Sequence, residues 1–319
     1  MRVLVSGAGG AAAVSFFKSV SYLDLNIHMA DIDPLAVGLY LVPEHKRHIV
    51  KKGSDLNFVN CLLEVCVKEK IDVLIPTVDC ELVPIAQNMH KFRANNIKVP
   101  ISTENTLATC LDKYALMQCL TGIAPLAKFE LYKGLPLKKD WIYPVIAKPR
   151  TGSGGRGIKY INHESELDSI PSDGSYLIQE FLPGEEYSVD TYMNQSGFVV
   201  SAVIRARLKT DSGVAVASCT IKDKELESAA SEIARNLNLR YVSNIQFKRD
   251  LNGSPKLLEI NPRFPGTMPL TVGAGVNMPE LCLRELNNKL ENIKIDYEEI
   301  AVVRYWAEKF VTMDEFVRA

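Results

Sequence analysis

The segment YVSNIQFKRDLNGSPKLLEINPRF, residues 241–264, leaves its backbone few options. Asn252-Gly253 is a strong two-residue hairpin turn between two runs of alternating polarity. With those two residues as the loop, Leu251 faces Ser254, Gln246 faces Glu259, and Asn244 faces Asn261. Side chains alternate along a strand, so Gln246, Glu259 and Asn261 share one face. Ile245 opposite Ile260 and Phe247 opposite Leu258 fill the other, apolar face, which belongs in a core. One carboxylate and two amide oxygens close together suit a hard divalent cation such as Mg²⁺, which completes its shell with phosphate oxygens and water. Arg263 follows two residues after Asn261, and Pro262 stiffens the turn between them. Its guanidinium is therefore expected near the metal, where it can grip a phosphoryl group with two parallel hydrogen bonds.

A hairpin needs a sheet to join, and the rest of the chain supplies strands in two styles. Residues 1–105 alternate strands (VLV, NIHMADID, IDVLIPT, IKVPIS) with helices (AAAVSFFKSV, DLNFVNCLLEVCVKEK, CELVPIAQNMHKFRANN), the pattern of a parallel sheet with helices on both faces. Residues 106–121 read as one helix with Thr103 or Asn105 as its cap. A strand-rich unit runs to residue 183. Residues 184–319 carry long strands (EYSVDTYM, FVVSAVIRARL) and two helices. The reading is α/β, turning α+β in the C-terminal part, in three units: 1–105, 106–183 and 184–319.

At 319 residues the chain exceeds one ordinary core. Lys+Arg 37 against Asp+Glu 38 gives a net charge of −1, and no basic cluster points to nucleic acid or a membrane surface. Seven cysteines without a Cys-x-x-Cys pair fit reduced thiols in the cytoplasm. The chain opens straight into a strand, with no signal peptide and no apolar run of membrane-spanning length.

Two glycine loops compete for a nucleotide. VLVSGAGGAAA places Gly7, Gly9 and Ala12 between a strand and a helix, with Asp31 and Asp33 ending the next strand, as in a dinucleotide fingerprint. That makes an NAD-dependent oxidoreductase an alternative, although all five histidines (His28, His45, His48, His90 and His163) precede the C-terminal half. The turn also reads as close helix–sheet packing, or as a helix N-terminus facing an anionic substrate group. VIAKPRTGSGGRGI, residues 145–158, is different. A lysine precedes the glycines, and a second strand rather than a helix follows them, so it is no P-loop.

Lys113 in LDKYALMQCL, Lys148 before PRTGSGGRGI, LIQEFLPGEEYSVD and QF…LLEINPRF occur in an order that resembles ATP-grasp enzymes. The likeness is to single-unit proteins similar to half of the carbamoyl-phosphate synthase large subunit, and it covers nearly the whole chain. The resemblance implies an ATP-grasp fold: a Rossmann-like N-terminal domain, a small glycine-loop lid subdomain and a C-terminal mixed-sheet subdomain with the metal site. It implies ATP-phosphate contacts from Lys113 and Lys148, and a lid formed by Gly152, Ser153, Gly154, Gly155 and Gly157. Glu180, Phe181 and Leu182 would meet adenine, and Glu186 the ribose. Gln246, Glu259 and Asn261 would hold Mg²⁺, with Mn²⁺ as a substitute, and Arg263 would stabilise the phosphoryl group together with Lys148.

The chemistry expected from this resemblance is an ADP-forming ligation. A carboxylate attacks the γ-phosphate of ATP, and an amine displaces phosphate from the acyl phosphate. Arg205 and Arg207, on one strand face, are candidates for binding phosphate or the acceptor carboxylate, with an exposed basic face as the plain reading. Gly266, within PGTMPLTVGAGVN, is expected to line the acceptor pocket, and Gly7 to approach the substrate. Partners are then a small carboxylate and an amine, with a homodimer left open. A catalytically silent ATP-binding module is the other alternative.

Overall fold

The structure is a computed structural model that describes residues 1–138, 140–152, 154–211 and 213–316. Strands β1 (Arg2–Ser6), β2 (Asn26–Asp31), β3 (Arg47–Ile49) and β4 (Val73–Ile75) form a parallel sheet in the order β3-β2-β1-β4. Between and after them run helices α1 (Ala11–Val20), α2 (Phe58–Lys68), α3 (Asp79–Gln87) and α4 (Met89–Ala94). Alternation along the strands decides which helix meets which face. Val3, Val5, Met29 and Ile75 pack with Phe16 and Val20 of α1. Leu4, Ala30 and Leu74 pack with Phe58 and Leu62 of α2 and with Ile85 and Phe92 beyond it. The strand expected at IKVPIS is only a bridge between Val73 and Lys98; Pro100 has no N–H with which to extend a ladder. β3 had no signal, being three residues of mixed polarity.

Where one helix was expected at 106–121, there are two: α5 (Glu104–Leu111) and α6 (Lys113–Cys119). Thr103 caps the first through Thr106 N–H. The break falls at Asp112, whose backbone is extended (φ −110°, ψ 104°) and whose carboxylate accepts from the N–H groups of Tyr114 and Ala115. An aspartate with two backbone donors in reach starts a new helix more readily than it continues an old one.

The middle unit is an antiparallel sheet of β5 (Phe129–Leu131), β6 (Val145–Pro149), β7 (Lys159–Ile161) and β8 (Tyr176–Glu180), in the order β5-β8-β6-β7. It has its own small core around Val145, Ala147, Leu167 and Ile178. The last sheet comprises β9 (Glu186–Met193), β10 (Val199–Asp211), β11 (Val214–Ile221), β12 (Tyr241–Arg249), β13 (Pro255–Asn261) and β14 (Ala301–Val303), in the order β13-β12-β9-β10-β11-β14. Every pairing between these strands is antiparallel, and the parallel contact at the edge is an isolated bridge from Leu126 to Leu257 of β13, so the strands do not form the mixed sheet expected. Helix α7 (Lys224–Asn236) buries Leu226, Ala230 and Ile233 in the same core as Val189, Ile245 and Phe247. The opposite face of β9 and β12 carries Ser188, Asn244 and Gln246, and the last two line a cleft. Two short helices, α8 (Met268–Gly273) and α9 (Met278–Leu286), complete the α-helices among the described residues. None of the helices described is long and apolar enough to cross a membrane.

Candidate functional site

The β12–β13 hairpin forms the floor of the site, and it reaches the expected pairing by an unexpected route. Gln246 pairs with Glu259, Ile245 with Ile260, and Asn244 with Asn261. The turn, however, is not the two-residue loop inferred from Asn252-Gly253. Asp250 N–H bonds to the Ser254 carbonyl, so three residues form the loop, closed by Gly253 at φ +79°. That slips the register by one: Phe247 lies opposite Leu257, not Leu258. A bulge at Leu258 then restores it. The bulge sends Leu258 to the wall of the cleft and leaves Leu257 in the core, and the Leu258 carbonyl accepts from Lys148 Nζ at 3.1 Å. Bulges commonly re-aim a residue beside a functional site.

Gln246, Glu259 and Asn261 all line a cleft of about 460 Å³. Their donor groups are tied back locally. Gln246 Nε2 donates to Asn244 Oδ1 (3.3 Å), and Asn261 Nδ2 lies 3.5 Å from Glu259 Oε1. The amide oxygens and the remaining carboxylate oxygen are thus the groups left to face a cation, a hard-oxygen set of the kind Mg²⁺ takes.

Two lysines stand over this face. Lys148, on β6, is buried, and burial pulls its ammonium down to about 8; neighbouring Glu259 opposes that fall and Lys113 adds to it. Lys113, the first residue of α6, donates to the Gly152 carbonyl at 2.8 Å and lies 3.8 Å from Glu259 Oε2. Its position depends on the helix break, because Asp112 also pairs with Arg150 at the end of β6, and Lys113 N–H bonds to the Arg150 carbonyl. The glycine loop follows directly. Gly152, Gly154, Gly155 and Gly157 all have φ between +71° and +112°, a region that disfavours other residues. Gly154 and Gly155 line the cleft, Gly152 reaches it through Lys113, and Gly157 does not line it. Ser153 lies outside the described residues.

At the other end of the cleft are Ile146, Glu180, Phe181 and Leu182. Glu180 is clamped by reciprocal contacts with the Lys128 backbone. Glu186 lines the same end and pairs with Arg207 Nε at 2.8 Å. Arg207 also donates to the Gly213 carbonyl, which ties the β10–β11 turn to this end of the cleft.

Arg205 and Arg207 share a strand face but not a fate. Arg207 lines the cleft, whereas Arg205 is fully buried, neither an exposed basic group nor a cleft residue. Arg205 makes two bonds to Asp190 (2.9 and 2.7 Å) and one to Thr267 (2.5 Å). Asp190 also accepts from Asn244 and Thr271, so it anchors the floor strand and the segment carrying Gly266. Gly266 lines the cleft and lies so close to α1 that an added Cβ would sit 2.8 Å from Ala11 Cβ. Arg263 lines the cleft too, and Asp79 at the start of α3 holds it in two-pronged fashion (2.6 and 2.9 Å). Nothing in the local sequence marked Asp79 or Asp190. Their partners come from segments far along the chain.

The N-terminal glycine turn stands apart from this cleft. Gly9 N–H donates to Asp31 Oδ2 at 2.7 Å, Gly38 N–H donates to the Ala8 carbonyl, and residues 36–38 lie over the turn. The aspartate that would greet a dinucleotide ribose is spent on the loop itself. Gly7 touches Val78 and Thr77 instead of lining the cleft.

Residues 3–100 match the family described as "PylC-like, N-terminal domain", and residues 172–309 match "ATP-grasp in the biosynthetic pathway with Ter operon". The chain is 27% identical over 158 residues to the carbamoyl phosphate synthase arginine-specific large chain of Bacillus subtilis, a stretch that is 45% of this chain and 15% of that relative. Among solved structures, the N5-carboxyaminoimidazole synthetase of Staphylococcus aureus complexed with ADP superposes with a TM-score of 0.73 at 15% identity, covering 94% of this chain and 79% of that one. The L-amino acid ligase of Bacillus licheniformis gives 0.69 at 15% identity, covering 91% and 76%. The C-terminal part of the chain thus matches an ATP-grasp family and its N-terminal part a PylC-like domain, and the fold of these solved structures is shared along nearly the whole chain.

Proposed function

We propose that the protein is an ATP- and Mg²⁺-dependent, ADP-forming ligase that activates a small carboxylate as an acyl phosphate and joins it to an amine. The observation carrying this reading is the convergence on one cleft of Lys113, Lys148, Glu259, Asn261, Gln246 and Arg263, with Glu180–Leu182 at its far end. Adenine would lie against Phe181 and Leu182, and Glu186 would meet the ribose hydroxyls. Lys148 and Lys113 hold the phosphates, and Gln246, Glu259 and Asn261 hold the metal, which when bound neutralises phosphate charge. Arg263, kept rigid by Asp79, meets the transferring phosphoryl group. The glycine loop closes above and excludes water from a hydrolysable intermediate.

The work of this set is positioning and charge neutralisation, which is what phosphoryl transfer requires of a protein. No hydroxyl or thiol nucleophile is needed. All seven cysteines are free thiols, in keeping with a reaction in the cytoplasm. The S. aureus neighbour with bound ADP and the named amino acid ligase support the nucleotide and the bond type, respectively.

Incubation with Mg²⁺ATP and a panel of acids and amines should release ADP and phosphate. Glu259→Gln should lower turnover by about a hundredfold while leaving the fold intact, because a ligand charge goes and the shape stays. AMP and pyrophosphate as products would point to adenylation and overturn the mechanism.

A further inference from the structure

Resting on that reading, a second cavity indicates what kind of acid is activated. It has a volume of about 340 Å³ and shares Lys113, Glu259 and Asn261 with the main cleft. It therefore opens beside the metal-ligand pair, away from the adenine end at Glu180–Leu182. Val78, Cys80, Cys110 and Leu111 line it, and Thr151 and Gly152 of the lid stem border it.

The charged groups on its wall are already engaged. Both carboxylate oxygens of Asp79 accept from Arg263. Lys113 is bonded to the Gly152 carbonyl and faces Glu259. What remains on the wall is mainly thiol and branched aliphatic surface, with the Thr151 hydroxyl and the Asn261 amide on the sides toward the lid stem and the metal ligands. A phosphate or a polyhydroxylated chain placed there would give up its hydration for few replacement hydrogen bonds, whereas an apolar group would gain by burial.

An acid that attacks the γ-phosphate must have its carboxylate beside the metal ligands, so its carbon skeleton has to lie in space adjoining Glu259 and Asn261. We infer that this cavity receives the side group of the carboxylate substrate, and that the substrate is an aliphatic acid or aliphatic amino acid. Val78 and Leu111 then set specificity. Val78 is held from behind by Gly7, at which an added Cβ would sit 2.4 Å from Val78 Cγ2. The N-terminal glycine turn thus shapes the substrate pocket without touching the substrate.

The test uses the full chain with Mg²⁺ATP and hydroxylamine as surrogate amine. The acid oxygen takes the γ-phosphoryl group, ADP leaves, and hydroxylamine displaces phosphate to give a hydroxamate. Isovalerate, leucine and 4-methyl-2-oxopentanoate should yield hydroxamate in preference to glutamate and gluconate. Val78→Thr, nearly isosteric, and Leu111→Asn should each raise KM for the best aliphatic acid, by about tenfold for the latter, and leave KM for ATP unchanged. Mg²⁺ATP binding without hydroxamate from any aliphatic acid, or an unchanged acid KM in both variants, overturns the cavity assignment alone. Failure to bind Mg²⁺ATP at all overturns the ligase reading with it.

Discussion

Two glycine loops in this chain look alike on paper and are built for opposite ends. The Gly7–Gly10 turn is locked from every side. Gly9 is bonded to Asp31, and Gly38 to Ala8. Beneath the turn, the Ser6 hydroxyl meets Glu81, whose carboxyl burial pushes up to about 7, and the Ser6 carbonyl accepts from Thr77. In the Gly152–Gly157 loop, an added Cβ at Gly152, Gly154 or Gly155 would meet nothing within 4 Å. The first loop needs its glycines for space, and Gly7 for backbone angle as well; in the second, Gly152, Gly154 and Gly155 are there for backbone angle alone, and only Gly157, against Pro149, also lacks room. A loop that needs freedom without close packing can move over a ligand; a loop whose donors are already used can only hold other residues in place.

The largest effect that could break this contrast comes from placing the same side chain in both loops. Gly7→Val puts a Cβ 2.4 Å from Val78 Cγ2 at φ +70°, combining overlap with a disfavoured backbone. It should cost about 3 kcal/mol or more and lower Tm by roughly 10 °C. Gly154→Val meets no neighbour and carries only local strain of about 1–2 kcal/mol. Its Tm should move far less, while turnover falls because the lid closes poorly. Equal losses of Tm in thermal unfolding would erase the distinction.

A smaller effect sharpens the contrast through binding. Lys148→Ala removes a charge-assisted phosphate contact worth about 1.5–3 kcal/mol, so calorimetry should record ATP binding on the order of tenfold to a hundredfold weaker. Asp31→Ala, which frees Gly9 N–H, should lower thermal stability and leave ATP affinity unchanged. An ATP affinity that depends on Asp31 would return the nucleotide to the N-terminal turn.

The smallest effect is a pH dependence. Burial holds the Lys148 ammonium near 8, below its ordinary 10.5. Below about pH 8 the lysine is charged in the folded and unfolded chains alike, and the folded state bears the desolvation cost in full. Between about 8 and 10.5 the unfolded chain binds more protons, so this group's contribution to stability rises with pH. Phosphate binding runs the other way, because it needs the ammonium. ATP affinity should fall on the order of tenfold between pH 7 and pH 9. Lys148→Arg, charged throughout, should flatten that fall; a slope that survives it would assign the titration to another group.

Much of this arrangement was legible in the chain itself, because it rests on local periodicity. Alternation along residues 241–261 put Gln246, Glu259 and Asn261 on one face, and strand–helix alternation implied the parallel sheet of residues 2–75. The pairing at Glu259 was reached for a partly mistaken reason: a three-residue loop and a bulge at Leu258 offset each other, and neither has a sharp sequence mark. Tertiary structure alone separated Arg205 from Arg207. Period-two geometry says that both point the same way; only Asp190 on β9 and Thr267 beyond β13 decide that one is buried and fully paired. The same holds for Arg263, whose partner Asp79 lies 184 residues earlier. Sequence pattern determines which face a side chain takes, since that is a property of its own backbone. What waits on that face is set by distant segments folding against it, and burial and pairing with those segments turn one arginine into scaffold and leave its neighbour in the site.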